Sequence, residues 1–91
     1  MNRNRYDVLD GLVSAEVRSE IARAKAVSVK GLAERVGIRR ATLSARVNGH
    51  AAFTPTLLAA VAAELGTTAS RLVARAEQAM RESDEGPRRA A

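Results

Sequence analysis

The sequence predicts a compact all-α domain of five to six helices, and three observations carry that expectation. Apolar residues recur at spacings of three and four along most of the chain. Helix-capping and helix-stopping residues bracket those stretches, and no run of alternating β-branched residues signals a strand. The 91 residues amount to one domain, and the 46% apolar content is enough for a single core. Much of that content is alanine, which favours helix and close helix approach but buries little area per residue. One Phe, one Tyr and no Trp leave the core short of aromatic bulk.

Each element has its own local justification. Val8, Leu9, Leu12, Val13, Val17 and Ile21 suit one long helix or two short ones, with Gly11 weakening the single-helix reading. Ser28 caps a second helix from about Val29 to Val36, which ends at a left-handed Gly37. A third helix runs from about Arg40 to Asn48 and stops at Asn48-Gly49. In "FTPTLLAAVAAELG", Thr54 is the cap, Pro55 the first helical residue and Gly66 the stop. Phe53 is expected as a core plug and not as a base-stacking platform. Thr67 or Thr68 caps a final helix that reaches about Glu82, with Leu72, Val73, Ala76 and Met80 inward. The chain therefore divides into an N-terminal helical extension (1–17), a central domain (18–82) and a flexible C-terminal tail (83–91).

Several functional classes are disfavoured at once. With no cysteine there is no disulfide framework or thiolate metal site, and His50 alone cannot build a zinc site or a catalytic triad. No nucleophile–base pair, carboxylate pair or phosphate-cradling glycine loop is present, so no enzyme, metal or cofactor is expected. No apolar run approaches the ~18 residues of a membrane span. The N-terminal stretch carries charges where a signal peptide needs an apolar core, so a cytoplasmic location is expected, without a membrane partner.

The placement of charge is more informative than its total of +5. Residues 18–50 hold eight Lys or Arg against Glu20 and Glu34, a local excess of +6, whereas residues 51–87 sum to −2. Such clustering suits a polyanion partner, and a merely solvated basic face is the alternative.

The densest basic stretch, "LAERVGIRRATLSARVNG" (32–49), also has helix-turn-helix spacing. A link of only Gly-Ile-Arg makes the second and third helices cross steeply. Ala33 lies at the crossing, where a larger side chain would hold the helices apart. Leu32, Val36, Ile38 and Leu43 form the seam between them. The helix-turn-helix is thus expected at about 29–48.

From about Arg18 to Glu77, some two thirds of the chain, the sequence resembles the Cro/lambda-repressor-like helix-turn-helix family without gaps. The resemblance implies a compact five-helix DNA-binding domain, usually dimeric on a palindromic operator. It also implies that the third helix enters the major groove. Helical geometry gives an independent check at about 100° per residue. With Arg40 at zero, Ser44, Asn48, Ala41 and Ala45 fall between about 40° and 140°, and Leu43 at about 300° points into the core. Arg40, Ala41, Ser44 and Ala45 are therefore the expected base-reading residues, with Arg40 on a guanine.

The resemblance implies phosphate-backbone contacts at Ser28, Val29, Lys30, Asn48 and His50, and Arg39 and Arg46 are expected to join them. Arg39 stands where the family usually has a serine-like cap, so Arg39 and Arg40 oppose the helix macrodipole at roughly 0.3–1 kcal/mol each. DNA phosphates would reverse that sign, and simple solvation of both arginines is the competing reading. Ser28 can equally act only as a cap, and His50 only as an exposed loop residue. Val29 replaces a frequent glutamine, which removes one usual contact. Arg46 replaces an apolar residue of the family. Either it packs its stem and extends towards a phosphate, or the helix end is rotated.

The expected function is sequence-specific binding of double-stranded DNA by a transcriptional regulator, a phage-type repressor or Cro-like protein acting as a homodimer. Two alternatives are an antitoxin that represses its own synthesis and a protein–protein adaptor on the same fold. Tyr6–Ala15 and the last helix offer apolar surface for a dimer or a protein partner, or else merely complete the core. The small, polar face of the third helix lacks the large anchors expected of an adaptor.

Overall fold

The computed structural model describes residues 5–90, with side chains described for residues 7–83. Its five helices are α1 (Arg5–Arg23), α2 (Val29–Val36), α3 (Arg40–Val47), α4 (Pro55–Glu64) and α5 (Ala69–Ala90). No strand occurs among the described residues. The most extensive helix–helix packing is α1 on α5; α2 packs on α3 and α4, and α3 also meets α1. Residues Pro55–Glu64 and Ala69–Ser83 meet at 105°.

The core draws on every helix. Val13 and Val17 come from α1, Leu32 and Ala33 from α2, and Leu43 and Val47 from α3. Leu58, Val61 and Ala62 come from α4, and Leu72 and Ala76 from α5. Phe53 packs against this cluster from the loop before α4. Its role is the core plug that the sequence predicts.

Local chemistry explains where the helices begin. The Ser28 hydroxyl accepts from Gly31 N at 3.0 Å, that of Thr54 from Leu57 N at 3.2 Å, and that of Thr68 from Arg71 N at 3.1 Å. Each satisfies one of the N–H groups that a helix start leaves unpaired. Thr68, and not Thr67, is thus the cap of α5. At the other end of α2, Gly37 has φ +85 and its N–H bonds Ala33 O at 2.8 Å. The next N–H, of Ile38, bonds the same carbonyl at 3.0 Å and turns the chain towards α3.

Of the two arrangements that the sequence allows for the first segment one is seen, and the last helix is longer than expected. α1 is one continuous helix through Gly11, because Leu9, Leu12, Val13 and Val17 pack on either side of an exposed glycine. That packing outweighs the roughly 1 kcal/mol glycine penalty. The expected division at 17/18 therefore falls inside α1. Likewise α5 continues past Glu82, so the division at 82/83 falls inside a helix. Glu82 is joined to the turn before it by Gln78 Nε2 at 3.2 Å, an i,i+4 pairing that favours continuation. Residues 1–4 and 91, and the side chains of Arg5, Tyr6 and residues 84–90, lie outside the described residues.

Ion pairs lace the outer surface. Glu20, with a side chain only 17% exposed, accepts from Arg75 at 2.7 Å and from Arg23 at 3.0 Å, linking α1 to α5. Arg35 and Glu64 meet at 3.7 Å between α2 and α4.

Two substitutions test this account. Leu72 is fully buried, and Leu72→Ala should lower the urea unfolding free energy by about 2–5 kcal/mol through cavity formation. A Cβ at Gly37 would meet nothing within 4 Å, so Gly37→Ala should cost only the left-handed conformation, about 1–2 kcal/mol. Gly37→Asn should lose less, and an Asn variant as unstable as the Ala one would count against a purely conformational cost.

Candidate nucleic-acid interface

The two central helices are arranged by burial. Ala33 is 1% exposed and lets α2 and α3 approach closely, while Leu43 and Val47 anchor α3 in the core. With that side of α3 buried, its opposite side must face out. Arg40, Ala41 and Asn48 are exposed, and Ser44 and Ala45 are half-buried. Small side chains here leave room for a close approach, and Arg40 and Ser44 offer hydrogen-bonding groups. Asn48 Nδ2 donates to Ser44 Oγ at 3.3 Å, tying these two residues together along the face.

Tertiary contacts sort the basic residues of 18–50 into two sets. Arg23 and Arg35 are paired with carboxylates, and Arg18 and Arg46 donate to backbone carbonyls. Among the described residues, the side chains of Lys25, Lys30, Arg39 and Arg40 form no hydrogen bond or ion pair. All four are exposed. Arg71 and Arg81 on α5 are also unpaired, so pairing alone does not mark an interface. What distinguishes Lys30, Arg39 and Arg40 is their position in or beside the first turns of α2 and α3.

The start of α3 is unusual within this protein. Arg39 occupies the N-cap position with extended backbone (φ −68, ψ 142) and makes no side-chain cap, unlike Ser28, Thr54 and Thr68. The unpaired first-turn N–H groups and two exposed arginine side chains therefore share one end of α3.

The remaining predicted residues divide by what they touch. Ser28 spends its hydroxyl on the α2 cap. Lys30 is exposed, whereas Val29 turns its side chain half-inward against the core, leaving its main-chain N–H at the helix start for any outside contact. Arg46 packs at the base of α3, and its Nη1 donates to Ala52 O at 2.7 Å, closing the loop to α4. Its buried Nε has no partner among the described residues. Arg46 is thus half-buried, with Nη1 committed to the loop before α4. His50 is exposed, and its backbone N–H bonds Ala45 O at 2.8 Å. Gly49 N bonds Arg46 O at 3.2 Å with φ +83, completing a Schellman-type end to α3.

Sequence reasoning missed Ser14 and Arg18. Ser14 Oγ donates to Arg46 O and Arg18 Nη1 donates to Val47 O, both at 2.7 Å. The available signal was Ser14 itself, a polar residue inside the apolar stripe of α1, which burial obliges to find a partner.

Among the described residues no group of three or more His, Asp or Glu could hold a metal ion, and no single helix is long and apolar enough to cross a membrane. The helix-turn-helix family model matches residues 20–72, more than half of the chain. The protein thus belongs to the helix-turn-helix family, in its Cro/lambda-repressor-like form. Its structure is similar to that of the clp gene regulator ClgR from Corynebacterium glutamicum, with a TM-score of 0.75 and 27% sequence identity. That similarity covers 90% of this chain and 86% of the other. No sequence among curated proteins matches this chain.

The uncapped start of α3 yields a prediction with two opposed readouts. Arg39→Ser should stabilise the free protein by about 1–2 kcal/mol, by adding a cap and removing a charge from the positive end of the dipole. The same change should weaken duplex DNA binding and flatten its log–log salt dependence by about 0.9. Gained stability with unaltered DNA affinity would remove Arg39 from the interface.

Proposed function

We propose that this protein is a sequence-specific, double-stranded DNA-binding transcriptional regulator that inserts α3 into the major groove. The observation that carries this reading is the outward face of α3, small and polar, headed by two arginines whose side chains have no partner among the described residues. On this reading Arg40, Ala41, Ser44 and Ala45 face base edges, with Arg40 bidentate to a guanine. Lys30, Arg39, Asn48, His50 and the N–H groups at the start of α2 meet the phosphates. Arg46, committed through Nη1 to Ala52 O, serves mainly to shape the loop and reaches a phosphate only with its remaining donors. The similarity to a gene regulator supports the assignment to transcriptional control.

The finer reading is a phage-type repressor or Cro-like protein of the cytoplasm, acting as a homodimer on a palindromic operator. Residues 18–82 form its DNA-binding unit, with residues 1–17 as an N-terminal extension. Autorepression by an antitoxin uses the same geometry. A protein–protein adaptor has one observation in its favour, an apolar groove of about 430 Å³ lined by residues including Leu9, Val13, Phe53, Pro55, Leu58 and Val73. The groove lies on α1, α4 and α5, so it is compatible with DNA binding through α3.

Selection from random duplexes tests the proposal. The wild type should enrich a palindrome with half-sites about one helical turn apart, and Arg40→Ala should relax one guanine position by roughly 1–3 kcal/mol of discrimination. If nothing is enriched and binding fades uniformly with salt, the basic face is a non-specific surface and the adaptor reading takes precedence.

A further inference from the structure

α3 is short: Arg40–Val47 is eight residues, about 12 Å. Its first turn has no side-chain cap. Its last turn is held from outside by two bonds from α1, Ser14 Oγ–H to Arg46 O and Arg18 Nη1 to Val47 O, each 2.7 Å. The two donors lie one turn apart on α1, and the two acceptors are consecutive carbonyls. Arg46 O already accepts from Gly49 N at 3.2 Å, so the serine bond is not needed to satisfy that carbonyl. Its effect is directional, tying the end of α3 to α1. Ser14 is also the one buried polar side chain among the described residues. Arg18 brings a cation to the negative end of the α3 dipole, which strengthens the hold.

We infer that Ser14 and Arg18 are positioning residues for base reading. They set the tilt of α3 against α1, and thereby the place that Arg40 and Ser44 reach, without touching DNA themselves. This rests on the DNA-binding reading above. A tilt of about 10° over a helix of about 12 Å moves its far end by about 2 Å, well beyond the roughly 0.5 Å tolerance of a preorganised contact. Phosphate contacts along flexible Lys and Arg side chains absorb such a shift, whereas a bidentate base contact does not.

Specific and non-specific binding therefore separate the two kinds of role. Full-length wild type, Ser14→Ala, Arg18→Met, Arg40→Ala and the two doubles with Arg40→Ala would be titrated against the selected duplex and a scrambled one over a salt series. Circular dichroism at the binding temperature checks folding. Ser14→Ala and Arg18→Met should each lower the selected-to-scrambled affinity ratio by about tenfold, leaving scrambled-duplex affinity and its salt slope unchanged. Each double should lose less discrimination than the sum of its two single losses, since the positioning residue acts in part through that arginine.

Three results would overturn the inference. If Arg18→Met weakens both duplexes equally and flattens the salt slope by about 0.9, Arg18 is itself a phosphate contact. If losses in the doubles are additive, neither residue acts through Arg40. If folded variants keep the wild-type ratio, the two bonds only stabilise the fold. Should Ser14→Ala fail to fold, Arg18→Met carries the test, because it alters an exposed side chain. Failure of the DNA-binding reading looks different: the wild type itself would show a ratio near one, and the inference would fall with it.

Discussion

The turn between α2 and α3 closes on a single backbone carbonyl. Ala33 O receives the N–H of Gly37 at 2.8 Å and that of Ile38 at 3.0 Å, while the Ala33 methyl is buried at the helix crossing. A residue with more volume at Ala33 would separate the helices, and one that resists positive φ at Gly37 would misdirect the chain leaving α2. With both conditions met, Leu43 and Val47 enter the core and the opposite side of α3 has only one direction to face. The outward presentation of Arg40 and Ser44 thus follows from apolar packing, not from any interaction of their own.

Electrostatics acts on that frame afterwards. The middle of the chain carries eight cationic side chains, but the fold does not display them equally. Glu20 and Glu64 neutralise arginines away from the start of α3, and carbonyls at Val47 and Ala52 engage Arg18 and Arg46. Arg39 and Arg40 are left at a helix start with no cap. Exposed ion pairs of this kind contribute little stability, a median of about 0–1 kcal/mol. They leave Arg39 and Arg40 among the unpaired cations, at a helix start that also lacks a cap.

The two ends of α3 are treated in opposite ways. Its N-terminal end keeps donors and cations unpaired, and its C-terminal end is closed by Gly49 and His50 backbone bonds and by two side chains from α1. This asymmetry suits a helix whose first turn meets a ligand and whose last turn supplies the rigidity for doing so.

Much of this was legible from residue order alone. Caps at Ser28 and Thr54, the stop at Gly37, the inward Leu43 and the plug Phe53 depend on neighbours within a few positions, so local stereochemistry and helical period determined them. Whether α1 runs through Gly11 or breaks there was not legible, because residue order allowed both and the helix packs on α5, more than fifty residues away in the chain. Neither was the sorting of the arginines, since Glu20–Arg75 and Arg35–Glu64 join residues remote in sequence. Ser14 and Arg18 belong to the same class. Their acceptors are main-chain carbonyls, which every residue possesses, so no sequence pattern distinguishes Arg46 O or Val47 O as partners. The sequence by itself therefore determined where the central helices start and stop and which face of α3 is polar. Only the tertiary structure decided which charges remain free and which bonds hold that face in place, because both depend on distances between helices.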